Sequence, residues 1–240
     1  MILVDIGNTT LHFGIEEGGK IVKNFRVYKE DFSAKRLKAI LMRYPGYDII
    51  LCSVAPSVLK YFHRVKRNVY LVGKDIKVPI KSYYNKREIG QDRLVNAFAA
   101  REIYPDAKII VDFGTAITID VLSKKGDYLG GFILPGINLY LNSLKNCELL
   151  PKKFLIKKTH SFIPKDTKES ISAGLEESFP LMVNGIIHKY KNIIEKRIGF
   201  RIKIVITGGE SNIILGKLNF PYIYDPILTL KGLFLLKKAV

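Results

Sequence analysis

The chain has 240 residues, 48% of them hydrophobic and 25% charged, which suits one large domain or two of about 120 residues with a real core. No apolar run reaches the roughly 18 residues of a membrane span, and no basic stretch precedes an apolar one at the N-terminus. Two cysteines, Cys52 and Cys147, are too few and too far apart for a disulfide framework or a zinc site, so a cytoplasmic protein with no membrane partner is expected. The net charge of +17 comes from Lys and Arg spread along the whole chain; with one Gln and no Trp, it reads as a solvated basic surface of the hyperthermophile kind. No nucleic-acid motif accompanies it, so nucleic acid is not expected as a partner.

The first half alternates strands and helices. Strands are predicted near residues 1–5, 10–16, 21–28, 48–54 and 69–72, and helices near 33–43, 56–67 and 90–103. A polar break, YPDAK, covers Tyr104 to Lys108. The chain then repeats its opening: IIVDFGTAITIDVL (Ile109–Leu122) aligns with ILVDIGNTTLHFGI (Ile2–Ile15) at a constant offset of 107. Each copy is followed by a third strand, KIVKNFRV in the first and GDYLGGFILPG in the second. Such self-similarity predicts a duplicated α/β domain, with a boundary near residue 105. Two halves, 1–105 and 106–240, would face each other across a cleft holding Asp5 and Asp112. Further on, 135–146 reads as a helix and 161–170 as a polar connection, with Thr167 placed to cap the next helix. Pro180 is expected to kink or interrupt that helix. IKIVITGGES (202–211) reads as a buried strand, a Gly208-Gly209 turn and a helix start, and LTLKGLFLLKKAV as a closing amphipathic helix.

The repeated unit carries the chemistry. A buried strand ends in an aspartate, and a turn of Gly and small polar residues follows. Successive turn N–H groups make an anion-binding concavity. A carboxylate beside bound phosphate needs a cation between them, and hard cations prefer oxygen ligands. The plainer reading of one copy is a hairpin whose Asp only hydrogen-bonds its own turn. Gly7, Asn8, Thr9 and Thr10 on one side, with Gly114, Thr115 and Ala116 on the other, supply donors suited to metal-assisted phosphoryl transfer. No GxxxxGK[ST] loop or HExxH is present, and the four histidines form no ligand cluster. A third aspartate lies in EIGQDRLVNAFAA (88–100). Asp92 reads as an N-cap or as a base whose carboxylate the helix dipole favours. Arg93 reads as a carboxylate-binding fork, or as a partner of Asp92 or Glu88.

Together, D-x-G-N-T at Asp5–Thr9, G-x-D-R at Gly90–Arg93, D-x-G-T-A at Asp112–Ala116 and GGFILPG at Gly130–Gly136 resemble type III pantothenate kinase, of the acetate kinase/sugar kinase/Hsp70/actin superfamily. The resemblance spans essentially the full length. It implies two duplicated ribonuclease H-like (actin-like ATPase) domains with a cleft between them, and ATP-dependent phosphorylation of pantothenate to 4′-phosphopantothenate, the first step towards coenzyme A. By that resemblance Asp5, Ile6, Gly7, Asn8, Thr9, Thr10, Leu11 and His12 form the nucleotide phosphate hairpin, and Thr115 contacts ATP. Asp92 is the proton acceptor. Gly90, Gln91, Asp92 and Arg93 line the pantothenate pocket with Tyr83, or with Tyr84 beside it. Thr167 reaches pantothenate from the partner subunit of a homodimer. Asp112 holds a monovalent cation (K+ or NH4+), and Asp5 holds Mg2+ directly or through water. Gly208-Gly209 fits a turn against adenosine. Two alternatives stand beside this reading: a non-catalytic nucleotide-binding regulator of the same fold, and a kinase of another small hydroxy acid.

Overall fold

The computed structural model describes residues 1–85, 87–145, 147 and 163–239. The first sheet is built from β1 (Ile2–Ile6), β2 (Thr10–Glu17), β3 (Lys20–Tyr28), β4 (Ile49–Ser53) and β5 (Val69–Leu71), in the order β3-β2-β1-β4-β5. The second uses β6 (Ala107–Phe113), β7 (Ala116–Leu122), β8 (Tyr128–Pro135), β9 (Lys203–Thr207) and β10 (Ile223–Tyr224), in the order β10-β9-β6-β7-β8. The two orders are the same path walked twice. In each, the central strand pairs antiparallel with the next strand and parallel with the strand that follows a helical crossover. Both central strands are nearly continuous apolar runs, as strands covered on two faces require: Ile2, Leu3, Val4, Ile109, Ile110 and Val111 are all fully buried.

The helices explain that double cover. α1 (Ala34–Met42) and α2 (Pro56–Phe62) lie on the outer face of the first sheet, where Leu37, Ile40, Leu41, Val58 and Phe62 join Val4, Phe13 and Leu51 in one core. α4 (Ile137–Leu144) and α5 (Thr167–Ile198) cover the outer face of the second sheet through Ile137, Phe179, Val183 and Ile187. α3 (Gln91–Ile103) and α6 (Leu228–Leu236) fill the space between the sheets. α3 turns Val95 and Phe98 to the first sheet and Ala97 and Ala100 to the second. Small alanines on that side allow close approach. α6 turns Leu230 and Leu233 to the first sheet and Leu228 towards the second.

Three expectations need correction here. α6 is not amphipathic in use: Leu228, Thr229, Leu230, Gly232, Leu233 and Leu236 are all buried, because the helix is enclosed between two layers. Pro180 does not interrupt α5, which runs unbroken past it; the ring lies among the buried residues, and the helix absorbs the missing N–H. The cap of α5 is Asp166, whose carboxylate accepts from Glu169 N at 3.0 Å, and Thr167 is the first helical residue. Asp outranks Thr as a cap. The connection predicted over 161–170 lies partly outside the described residues.

Candidate active site

Asp5 and Asp112 occupy equivalent places near the C-terminal ends of the two central strands. Asp5 stands opposite His12 on β2 and Cys52 on β4, and Asp112 opposite Thr118 on β7 and Thr207 on β9. Beyond each aspartate the hairpin turns, closed by Gly7 N to Thr10 O at 3.0 Å in one and Gly114 N to Ala116 O at 3.2 Å in the other. The two turns meet tip to tip: Thr9 Oγ1 lies 2.8 Å from Thr115 Oγ1, across 106 residues of sequence. Among the described residues, the amides of Asn8, Thr9 and Thr115 make no hydrogen bond and remain available.

Between the sheets lies a cavity of about 160 Å3 lined by Asp5, Asp92 and Asp112, both turns, Gly208-Gly209 and Arg26. Asp92 is in the first turn of α3, but it is not the cap. Gly90 holds the cap position through its backbone, and Asp92 Oδ1 accepts from Arg93 N at 2.8 Å. A Cβ at Gly90 would collide with that same Oδ1, so a larger residue there would displace the Asp92 carboxylate.

The carboxylates titrate high. Burial, and then the Asp92 charge, push Asp5 from its ordinary 3.8 to about 7, although Cys52 Sγ donates to its Oδ1 at 3.4 Å. Burial, then Asp92, Asp5 and Asp120, push Asp112 to about 7 as well; a bond from Asn96 Nδ2 to its Oδ2 at 2.9 Å works the other way. Burial also raises Asp92, against the bond from Arg93 N. His12 moves oppositely. Burial and the neighbouring Arg26 lower it to about 4, so the imidazole is neutral near pH 7, and its Nε2 lies 3.1 Å from Asn24 Oδ1. Among the described residues, no group of three or more His, Cys, Asp or Glu is arranged to hold a metal ion. A cation at this site would therefore complete its shell with phosphate and water oxygens, which is how Mg2+ is usually held.

Of the hairpin residues expected at the nucleotide, Asp5, Gly7, Asn8, Thr9, Thr10 and His12 line the cavity, as does Thr115. Ile6 and Leu11 do not. They stand opposite each other across β1 and β2, and their side chains are buried in the first sheet's outer core. Of the Gly90–Arg93 segment, only Asp92 reaches the cavity. Gln91 packs against Gly73. Arg93 is buried and pairs with neither Asp92 nor Glu88; its Nε and Nη2 donate to Asp120 Oδ1 at 2.9 and 2.6 Å. Burial opposes the guanidinium charge, but Asp120 more than offsets it. Tyr128 Oη also donates to Asp120 Oδ1, at 2.7 Å. Tyr84 is the tyrosine at this cluster, its ring centre 5.4 Å from the guanidinium carbon, whereas Tyr83 is 60% exposed beneath the Lys81 ammonium. Thr167 lies away from the cleft, exposed, in a separate cavity with Tyr140, Leu144 and Ser170.

Sequence reasoning passed over Asp120, Asn96, Thr229 and Arg26. The signal for the first two was present: each is a polar residue inside an otherwise apolar or alanine-rich run. Thr229 Oγ1 donates to Asn96 Oδ1 at 2.8 Å, so α6 holds the amide that in turn holds Asp112. Gly208, with φ +100°, brings its turn against Asp112; a Cβ there would meet the Phe113 backbone and stand 2.5 Å from Asp112 Oδ1.

The family model for type III pantothenate kinase matches residues 1–189. A type III pantothenate kinase of Persephonella marina is 35% identical, covering 98% of this chain and 97% of its own. One from a Sulfurihydrogenibium species is 32% identical, covering 99% of each. Among solved structures, a Baf family protein from Campylobacter jejuni superposes with a TM-score of 0.62 at 23% identity, over 100% of this chain and 98% of that one. MreB 5 of Spiroplasma citri, bound to AMPPNP, superposes at 0.52 with 13% identity, over 99% and 96%. At these identities the structural likenesses show the actin-like fold alone.

Proposed function

The chain belongs to the type III pantothenate kinase family, and from that premise we propose how its residues divide the work of transferring the γ-phosphoryl group of ATP to pantothenate. The reaction gives 4′-phosphopantothenate and ADP, in coenzyme A biosynthesis. The observation that carries the residue assignment is the meeting of two Asp-x-Gly turns at Thr9 and Thr115, with Asp92 in the same cavity.

Asp92 accepts the proton of the pantothenate hydroxyl as that oxygen attacks the γ-phosphorus and ADP departs. Its burial supports this role, because a carboxylate with a raised pKa is a stronger base. The free amides of Asn8, Thr9 and Thr115 and the two threonine hydroxyls hold phosphate oxygens in line with the acceptor. Arg93 meets the pantothenate carboxylate. Asp120 and Tyr128 set its plane, and Tyr84, rather than Tyr83, is the aromatic beside it. Three carboxylates around one small cavity, two of them driven to about 7, fit a site that is occupied by cations when working. Asp5 suits Mg2+, held in part through water, and Asp112 a monovalent K+ or NH4+. Such cations neutralise charge on the phosphates. Thr167 serves the partner's site in a homodimer, a reading supported by its lining a cavity other than the cleft of its own chain. A cytoplasmic location fits this chemistry, and no helix among the described residues is long and apolar enough to cross a membrane.

The direct test is pantothenate-dependent ADP release by the purified protein, with and without K+. ADP release that does not depend on pantothenate would sink the assignment.

A further inference from the structure

Resting on the kinase reading above, we propose that Arg26 is a phosphate-binding residue of this enzyme, gripping the polyphosphate of the nucleotide from the β3 side of the cleft. Arg26 is the one Lys or Arg among the described residues lining the cavity, where Asp5, Asp92 and Asp112 all carry carboxylates. A triphosphate entering this space meets three carboxyl groups and a single fixed cation of the protein.

The guanidinium is placed to act and is hardly engaged. β3 pairs with β2 so that Arg26 stands directly across from His12, in the strand that leads out of the first phosphate turn. From there it crosses to the other half of the molecule. Its Nη2 donates to Pro226 O at a long 3.4 Å, and its Nε lies 3.4 Å from where a Cβ on Gly209 would stand. It thus spans from the first sheet to the turn after β9, with the two hairpin turns lining the same cavity. It makes no ion pair among the described residues. A guanidinium has five N–H donors in a rigid fork, matched to phosphate oxygens. One long bond leaves most of them unspent. A structural arginine in this protein looks different: Arg67 donates to the carbonyls of Leu41, Tyr44 and Tyr47. The neutral His12 beside Arg26 neither repels it nor pairs with its charge.

The test compares Arg26→Gln and Arg26→Lys with the wild-type full chain. The wild-type assay for pantothenate-dependent ADP release stands as the separate check on the kinase reading. Direct binding of ADP with Mg2+, and of adenosine, is measured by calorimetry, and the KM for ATP and for pantothenate by kinetics. The expected result for Arg26→Gln is a loss of at least about tenfold in ADP affinity and a matching rise in KM for ATP. Adenosine affinity and KM for pantothenate should not change, and Arg26→Lys should recover part of the loss because it keeps the charge without the fork. Unchanged ADP binding in Arg26→Gln overturns the proposal. So does an equal fall in ADP and adenosine affinity, which would mark Arg26 as a brace of the cleft through Pro226.

Discussion

Asp112→Asn replaces a buried carboxylate by an amide of nearly the same shape, and the structure sets both the sign and the scale of its effect on stability. The carboxylate titrates near 7 in the folded protein against an ordinary 3.8. A group whose folded pKa is raised contributes stability that is full below the unfolded value and is lost as pH rises through the folded one. At about 1.4 kcal/mol per pH unit, the wild type should lose up to about 4 kcal/mol at this residue between pH 4 and pH 8. Asp112 keeps part of its surface open to the cleft and shares its shift with Asp5 and Asp92, so a realised difference of about 2 kcal/mol is expected. Asn at this position still accepts from Asn96 and opens no cavity. The variant should therefore be the more stable protein at about pH 8, by roughly 4–8 °C in Tm for a chain of this size, with the advantage vanishing towards pH 4. Urea unfolding across that range, in buffers without Mg2+ or K+, reads the difference directly. The same variant should lose turnover and K+ activation, because the lost charge weakens cation binding. A stability difference independent of pH, or an Asn variant less stable at pH 8, would refute the reasoning.

Asp92→Asn should cost at least about two orders of magnitude in turnover, the usual scale for a general base; the cap of α3 belongs to Gly90, so circular dichroism and melting should show an intact fold. Asp120→Asn weakens the acceptor of a buried guanidinium and should destabilise by about 3 kcal/mol, seen in urea unfolding, with KM for pantothenate rising more than kcat falls. If Arg93 only braces the fold, KM will stay put. The homodimer should appear in light scattering at micromolar concentration; a fully active monomer would remove Thr167 from the substrate site.

Much of this molecule was legible along the chain, because the information is local and repeated. A run such as Ile2-Leu3-Val4 before a Gly-Asn turn reads as a doubly covered strand, and the copy at Ile109–Val111 says the same thing 107 residues later. The Asp-x-Gly turns announce themselves by residue type, since glycine and small polar side chains are what a donor-rich turn requires. The tertiary structure decided what depends on contacts between distant segments. Arg93 finds Asp120 across 27 residues, Asn96 finds Thr229 across 133, and Arg26 reaches Pro226 across 200. No spacing rule links such pairs; they meet because α3 and α6 are enclosed between two sheets and because the two hairpins face each other. The same enclosure buried α6 on nearly every side and turned Ile6 and Leu11 into core. Neighbouring residues such as Tyr83 and Tyr84 part for a related reason. Nothing in the two residue types separates them, and the position of Arg93 and Tyr128 determines which of the two rings is inside.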